Sequence, residues 1–471
     1  MLMKVFQGKT HMNRRLLFLS TVIGLILAGC SLAPQYTQPQ SPIPKEWSQD
    51  VTYPVTPELS RQEFFPDEQL QTIIEIALKN NRDLRLAILN VERARALYGV
   101  QRAELFPAVN ATGGGGKQQY SDDLIGPGEP KTSEQYNLDL GVTSWEIDFF
   151  GRMRSLKDQA LEEYLATDEA RRGAKITLVS EVARFFLTLA ADREKQKLSQ
   201  STLETQQAAY GLVQKRYDIG IATELDLKRA QVPMDTARGD VARFTQLVTQ
   251  DQNALQLLAG TPIPKQLLPT DLGSVIPPKE ISPGLSSEGL LRRPDIMAAE
   301  HRLKGSYAYI GAARAAFFPR ISLTTAIGTA SDELSGLFRS GSGTWKFTPH
   351  IIVPIFDARV WAALRVSKAD REIVLTQYEK TIQTAFKEVA DSLAVQGTID
   401  QQIAAQESLV SAVASTYRLA NKLYIEGADS YLSVLDAQRS HFEAQQNMVA
   451  LRLTKLVNLV RLYAVLGGGG E

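Results

Sequence analysis

The stretch Leu212–Gln231 reads LVQKRYDIGIATELDLKRAQ, and Leu419–Gln438 reads LANKLYIEGADSYLSVLDAQ. The second stretch starts 207 residues after the first, and the two share seven identities in 20 positions without a gap. Self-similarity at a fixed spacing marks an internal repeat, so the fold is expected to contain one structural unit twice. The identical pairs are Leu212/Leu419, Lys215/Lys422, Tyr217/Tyr424, Gly220/Gly427, Leu225/Leu432, Ala230/Ala437 and Gln231/Gln438.

The repeat extends upstream of these two stretches. Five residues recur 212 positions later, and both sets end in Phe-Pro. We therefore divide the chain after residue 29 into an N-terminal segment at 30–82, a first repeat at 83–282 and a second repeat at 283–471. The recurring pairs are Asp83/Asp295, Gly99/Gly311, Ala103/Ala315, Phe106/Phe318 and Pro107/Pro319.

Each repeat begins with a helix-permissive stretch that ends at Phe-Pro, because proline stops a helix. Two strands are predicted next, at about 108–120 and 134–149 in repeat 1 and at about 320–331 and 344–357 in repeat 2. Their apolar and polar residues alternate, which suits a membrane barrel with lipid outside and water inside. Four strands cannot close such a barrel, which has at least about eight, so oligomerisation is required. A soluble sheet on the rim of a helical body is the alternative interpretation.

Long helices are predicted after the strands, since proline is absent from 131 to 232 and from 355 to 471. At about 1.5 Å per residue, a helix from Arg152 to Tyr217 would reach roughly 100 Å. A helix of that length cannot bury itself in a globule. We expect these helices to pack along their length, as in a coiled coil.

Each long helical tract contains one turn signal. Gly220 and Gly427 stand where a glycine ends a helix, and Thr223 and Ser430 follow three residues later as N-caps. This pattern predicts a tight helical hairpin in each repeat. The two tips are predicted near 217–223 and near 424–430.

The first 29 residues read as a secretory signal, with a basic start, a short apolar stretch and small residues before Cys30. Leu27-Ala28-Gly29-Cys30 resembles the lipobox of bacterial lipoproteins, and Cys30 is the only cysteine of the chain. We expect N-palmitoyl and S-diacylglycerol groups on Cys30, enough acyl chains for stable anchoring. Ser31 points, by the lipoprotein sorting pattern, to the outer membrane. Six prolines between 31 and 57 predict an extended tether.

The composition excludes several classes of protein. With 44% hydrophobic and 22% charged residues and a mean hydropathy of -0.15, the chain is neither disordered nor a polytopic helical membrane protein. Without its leader it has 48 basic and 52 acidic residues, a net charge of -4. That balance argues against nucleic acid as a partner.

The sequence contains no constellation typical of an enzyme. After the leader it has only His301, His350 and His441, none of them in an H-E-x-x-H pattern. A run of four glycines precedes Lys117, but Gln118 stands where a phosphate-binding loop needs Ser or Thr. We predict no catalytic residue, metal site or cofactor other than the lipid.

Several of these features together resemble the outer membrane factors of the TolC family. They are the lipobox, the proline-rich arm, Phe-Pro before paired strands, Tyr-x-x-Gly at the tip and Val434-Leu435-Asp436-Ala437-Gln438. The ending Leu462–Gly469, LYAVLGGG, is most similar to the lipidated OprM-like branch of drug-efflux channels. The resemblance implies an α+β membrane protein: a homotrimer with a 12-stranded transmembrane β-barrel, four strands per chain, continuous with a long periplasmic α-helical barrel.

The resemblance also implies functional residues. Leu432 and Asp436 match the family residues that narrow the periplasmic end of the channel as an apolar ring and an acidic ring. Asp226 lies near the corresponding depth in the first repeat and is expected as a third gate residue, and the family implies that it makes a contact on the side of Tyr424. The family's hairpin tips meet the adaptor, which here assigns that contact to Gly220, Thr223, Gly427 and Ser430.

The function expected from the resemblance is an outer membrane exit duct. It would conduct drugs and other small molecules that an inner-membrane RND pump delivers through a periplasmic membrane-fusion adaptor. Two alternatives stay open at this stage. One is a duct of type I protein secretion, and the other is a non-conducting, lipid-anchored coiled-coil scaffold.

Overall fold

The computed structural model describes residues 31–44, 60–280 and 287–468. The predicted leader and the lipidation site Cys30 lie outside the described residues. No helix within the described ranges is long and apolar enough to cross a membrane. The helices and strands in chain order are α1 Arg61–Phe64, α2 Glu68–Asn80, α3 Arg82–Ala103, β1 Val109–Gln119, β2 Thr132–Ile147, α4 Arg152–Asp218, α5 Glu224–Ala259, α6 Pro294–Ala315, β3 Arg320–Ser331, β4 Gly343–Ile352, α7 Ala358–Ile425 and α8 Tyr431–Val465.

The order helix, strand, strand, helix, helix occurs twice in this series. The first copy runs from α3 to α5 and the second from α6 to α8. The long helices α4 and α7 have 67 and 68 residues. Neither helix contains a proline, which is why nothing interrupts their hydrogen bonds.

The chain divides into two compact units, and the described part of unit 1 comprises 31–39, 91–167 and 298–378. Its centre is a four-stranded sheet in the order β1-β2-β3-β4. All neighbouring strands are antiparallel, and the β2–β3 pairing joins the two repeats. The side chains of β1 and β4 are exposed along both strands. Each of these edge strands pairs on one side only within the described residues.

The strands depart from the predicted bounds in one place by more than two residues. β4 ends at Ile352, five residues before the predicted end at 357. Pro354 follows directly, and proline has no backbone N–H to donate to a neighbouring strand. A bulge also interrupts the β2–β3 register between Val142 and Trp145, where Ser144 takes a φ of 54°. Bulges of this kind bend a strand and increase its local twist.

The N-terminal arm lies against α6 in unit 1. The guanidinium of Arg314 donates to the carbonyl of Leu32 at 3.0 Å, and the Tyr36 hydroxyl donates to Glu300 at 3.0 Å. A side chain at Gly311 would collide with the arm, because a Cβ there would lie 2.8 Å from Ala33. The proline-rich segment, from residue 31 onward, is therefore docked along α6.

The described part of unit 2 comprises 40–44, 60–90, 168–280, 287–297 and 379–468, and it holds the main core. Apolar side chains of α2, α4, α5 and α8 meet in one cluster. At its end the ring of Tyr463 stacks on Phe64 with a centroid distance of 4.6 Å, and Phe65 meets it edge-on. Aromatic pairs of this kind stabilise a core beyond their buried area.

The two repeats close in the same way within unit 2. Asn81 donates its amide to the carbonyl of Leu258 at 2.9 Å, near the end of α5. Arg293, 212 residues later, donates to the carbonyl of Val465 at 2.8 Å, at the end of α8. The buried guanidinium of Arg293 also pairs with Asp295 and Glu388. Each bond satisfies a carbonyl that the helix itself leaves without a partner.

Candidate functional site

The first hairpin tip begins where α4 ends at Asp218. Gly220 has a φ of 77°, in the left-handed region, and its N–H donates to the carbonyl of Tyr217 at 2.9 Å. The N–H of Ile221 donates to Arg216 at 2.8 Å. These bonds pair the last carbonyls of α4 and turn the chain back on itself. A side chain at position 220 would meet open space but would be strained by the positive φ.

Thr223 starts the returning helix α5 with a reciprocal pair of bonds. The Asp226 N–H donates to the Thr223 hydroxyl at 3.2 Å, and the Asp226 carboxylate accepts from the Thr223 N–H at 3.1 Å. The Thr223 hydroxyl also donates to that carboxylate at 2.7 Å. These bonds, the one from the hydroxyl first, lower the pKa of Asp226. Asp226 is therefore part of a capping box that fixes the tip.

The second tip has the same turn with different capping. Gly427 has a φ of 73° and donates to Tyr424 at 3.0 Å, as its counterpart does in the first tip. Ser430 is the N-cap of α8, but its side chain makes no capping bond. Instead Asp429, one residue earlier, accepts from the Ser430 N–H at 2.6 Å and from the Ser433 hydroxyl at 3.0 Å.

The two hairpins contact each other near their tips. Arg216 of α4 donates to the Tyr424 hydroxyl of α7 at 3.2 Å. Tyr431 packs against the apolar clusters of both hairpins, and its ring lies 5.0 Å from that of Tyr424. Burial, followed by the neighbouring tyrosines, raises the pKa of Tyr431. The sequence reasoning missed Arg216 and Tyr431, because neither residue belongs to the shared motif.

Two of the three expected gate residues, Leu432 and Asp436, lie on α8, and the third, Asp226, lies on α5. Leu432 and Asp436 are four residues apart and so share one helix face. The Leu432 side chain is 47% exposed, and the Asp436 carboxylate is exposed and accepts from Arg439 at 3.0 Å. Asp226 lies in the first hairpin, bound to Thr223, while the Tyr424 hydroxyl accepts from Arg216. Leu432 and Asp436 are therefore accessible, whereas the Asp226 carboxylate is hydrogen-bonded within its own turn.

The two tips present different surfaces. In the first tip Ile219 and Ile221 flank the glycine and are 70% and 71% exposed. At the equivalent positions the second tip has Glu426 and Ala428, both exposed. The glycine is therefore flanked by two isoleucines in the first tip and by an acidic and a small residue in the second tip.

No group of three or more histidine, cysteine, aspartate or glutamate side chains in 31–44, 60–280 and 287–468 is placed to hold a metal ion. The candidate site is a surface formed by helix ends, with the chemistry of a docking or lining surface.

Comparison with known proteins finds relatives that match this chain along nearly its whole length. The family model of the outer membrane efflux protein matches residues 73–261 and 285–468, one match for each repeat. The chain is 45% identical over 469 residues to the probable efflux pump outer membrane protein TtgC of Pseudomonas putida, covering 97% of this chain and 96% of TtgC. It is 40% identical to outer membrane protein OprJ of Pseudomonas aeruginosa, covering 96% and 95% of the two chains.

Solved structures have the same fold. A membrane protein from Pseudomonas aeruginosa superposes with a TM-score of 0.88 at 40% identity, covering 93% of this chain and 98% of that chain. The open state of the MtrE outer membrane channel of Neisseria gonorrhoeae superposes with a TM-score of 0.84 at 37% identity, covering 93% and 98%. The α+β architecture expected from the sequence is therefore confirmed, and the chain belongs to the outer membrane efflux protein family, of the TolC type.

Proposed function

We propose that this protein is the outer membrane exit duct of a tripartite efflux system. It passively conducts drugs and other small molecules that an inner-membrane RND pump delivers through a periplasmic adaptor. The observation that carries the proposal is the family match over both repeats, together with relatives that are named efflux pump outer membrane proteins. The protein itself has no catalytic role in this proposal.

The edges of the sheet support a homotrimer. β1 has 11 residues and β4 has 10, and each offers an unpaired edge within the described residues. Unpaired strand edges template pairing with another chain. If β4 of one copy pairs with β1 of the next, three copies form a closed barrel of 12 strands. This is the number of strands that the family resemblance implies.

The internal repeat supports the same arrangement of neighbouring chains in the trimer. In unit 1 Gly311 of α6 packs on Ser155 of α4, where a Cβ would lie 2.7 Å from the Ser155 hydroxyl. Its counterpart Gly99 of α3 has no atom within 4 Å of the Cβ position. The matching partner of α3 is α7, which is the counterpart of α4. We infer that α7 of a neighbouring copy covers α3, because both helices expose apolar residues. These are Leu97 and Val100 on α3 and Trp361 and Val366 on α7, each more than half exposed.

Leu432 and Asp436 form the proposed gate. Around a threefold axis, three copies of Leu432 would make an apolar constriction that closes by dewetting. Three copies of Asp436 would make an acidic ring one helical turn deeper. The exposure of both side chains on one face of α8 supports this role. Asp226 contributes by holding the first tip in place beside the gate.

The hairpin tips form the proposed adaptor-binding surface. Each chain has two tips, so a trimer presents six. Gly220 and Gly427 leave open space beside the turn, which lets a partner backbone approach. Thr223 and Ser430 lie beside them at the start of the returning helices. The exposed Ile219 and Ile221 supply apolar contact area at the first tip.

Lipidation of Cys30 is a further part of the proposal. Leu32 and Ala33 are held at the end of α6, and β3 begins five residues after α6 ends. The docked arm would therefore place N-palmitoyl and S-diacylglycerol chains on Cys30 beside the strand ends of the sheet. Such a position puts the acyl chains at the rim of the barrel, in the outer membrane.

The direct test is conductance. Purified protein in a planar bilayer should form discrete channels, and a strain that lacks the gene should accumulate drug until the gene is restored. A protein without conductance would be a scaffold. Channels that form without any effect on drug accumulation would point instead to a duct for secreted proteins.

A further inference from the structure

Two aspartates are buried together between the helices of the first hairpin, far along the helices from its tip. Asp192 of α4 is 7% exposed and Asp251 of α5 is 8% exposed. Within the described residues, Oδ2 of Asp251 has no hydrogen-bond partner, although it is fully buried. The polar group beside it is the carboxyl group of Asp192. Two ionised carboxylates only accept hydrogen bonds, so they cannot bond to each other.

The surrounding charges do not neutralise both groups. Lys195 of α4 approaches Oδ1 of Asp192 at 3.4 Å. Arg184 of α4 attracts Asp251 but forms its close ion pair with Glu181. On the side of α8, Arg452 pairs with Glu194 at 3.1 Å. The buried side chains of α2 in this core are apolar.

The second repeat provides an internal comparison. The residue 207 positions after Asp251 is Asn458, and the residue 207 positions after Asp192 is Ile399. Asn458 is 7% exposed and donates its amide to the carbonyl of Ser392 at 3.0 Å. The second repeat thus keeps a neutral donor at the position where the first repeat has a carboxyl group. A protonated carboxyl group is also neutral and also has one donor.

We propose that Asp192 and Asp251 form a proton-binding site that joins α4 to α5. One proton, taken from water, is shared by the two carboxyl groups and gives Oδ2 of Asp251 its missing hydrogen bond. Loss of that proton to solvent leaves two buried negative charges side by side, which repel each other and weaken the root of the first hairpin. The second hairpin has no such site at Ile399 and Asn458 and does not respond.

The direction of the pH dependence follows from the bound proton. Burial first, and then the charge of Asp192, raise the pKa of Asp251 from 3.8 to about 6. The folded state therefore binds the proton more tightly than the unfolded state does. The stabilisation is complete below the unfolded pKa of 3.8 and is lost as the pH rises through about 6.

The test compares the full-length protein in detergent with its Asp251→Asn variant from about pH 4 to about pH 7, the range that the shifted titration spans. The melting temperature of the parent should fall by a few degrees relative to the variant over this range. Exposed carboxyl groups also titrate in this range, so the infrared difference spectrum of Asp251→Asn is subtracted from that of the parent. The remainder should contain the carbonyl stretch of the protonated carboxyl group that the variant lacks. Amide exchange in α4 and α5 near the pair should accelerate at the higher pH in the parent alone.

Two further variants complete the design. Asp192→Asn offers Asp251 a neutral donor and should move the titration of Asp251 to lower pH. This variant provides a second measurement if Asp251→Asn folds poorly. Asp235→Asn is the matched control, since Asp235 lies on the same helix but is exposed and paired with Arg238 at 2.6 Å. It should titrate like the parent. The proposal is overturned if Asp251→Asn or Asp192→Asn keeps the pH profile and infrared band of the parent.

Discussion

Thr223 and Ser430 occupy equivalent places in the two repeats, yet only Thr223 uses its side chain to cap a helix. Replacing a capping threonine by alanine costs about 1 kcal/mol of local stability. Thr223→Ala should therefore speed amide exchange in the first turn of α5. Ser430→Ala, which removes no capping bond, should leave exchange in α8 unchanged and serves as the control. Equal effects at both tips would contradict this assignment.

Comparing two substitutions at the tip glycines Gly220 and Gly427 distinguishes backbone strain at a positive φ from loss of adaptor docking. The positive φ costs an ordinary residue about 1–2 kcal/mol, whereas asparagine tolerates it better. Gly220→Trp and Gly427→Trp should abolish drug efflux while the trimer stays inserted, because the indole fills the space that a partner backbone needs. Gly220→Asn should retain most efflux.

The measurement for these glycine variants is drug accumulation in cells, normalised to the amount of protein in the outer membrane, with helical content checked on purified protein. Normal efflux by both tryptophan variants would rule out docking at the tips. Loss of the protein from the membrane would assign the glycines a structural role only.

The sequence predicted the residues whose role depends on the backbone. Glycine at 220 and 427 was expected at a helix end, and both positions have a positive φ. The sequence could not predict the contact between Arg216 and Tyr424 or the contact between Asp192 and Asp251. Those contacts join residues on different helices, and helical periodicity does not specify which side chains face each other. The contacts of Asp429 with Ser430 and Ser433 were missed for a different reason: in the first tip the acid follows the N-cap, at Asp226, whereas in the second tip it precedes the N-cap.

At the level of elements, Gly311 leaves the space in which the N-terminal arm lies against α6. A Cβ at Gly311 would lie 2.8 Å from both the N and Cβ atoms of Ala33. Gly311→Ala should therefore displace the arm and expose it to protease. Gly305→Ala on the same helix is the control, since the nearest atom there is Glu162 Cβ at 3.5 Å, an ordinary contact. Equal protection of the arm in both variants would contradict the close fit.

The helix α8 carries the proposed gate, and its variants should change conductance. Leu432→Ala removes apolar surface, and Asp436→Ala removes the acidic ring together with its Arg439 pair. Each should raise single-channel conductance above that of a nearly closed, cation-preferring parent, because the constriction becomes wider and wetter. If both variants conduct like the parent, the gate lies elsewhere.

Element order was more predictable than element ends. The strands alternate in polarity and the long helices lack proline, and these signals are strong over many residues. The end of β4 was placed too late because alternation continues past Ile352, although Pro354 cannot join a ladder. The bulge in β2 left no signal in the pattern, since it depends on pairing with a strand from the other repeat.

For the whole molecule, the attachment to the membrane has two parts that can be separated. Mass spectrometry of the mature N-terminus should find an acylated Cys30. Cys30→Ala should lose the lipid and still insert as a trimer, because the strands provide their own attachment. An unmodified Ser31 at the N-terminus, or a retained leader, would refute lipidation. Failure of Cys30→Ala to insert would mean that the acyl chains are needed for assembly.

The pairing of β2 with β3 also determines when the sheet can form. Leu140 pairs with Ile327, and the first helical hairpin lies between them in sequence. Closing so long an unstructured loop is entropically costly and slow. Hairpin α4–α5 joins two helices that follow each other in sequence, and once folded it shortens the loop that remains. We therefore expect the strands to assemble last, so that a helix-breaking change in α4 delays barrel formation although it lies outside the sheet.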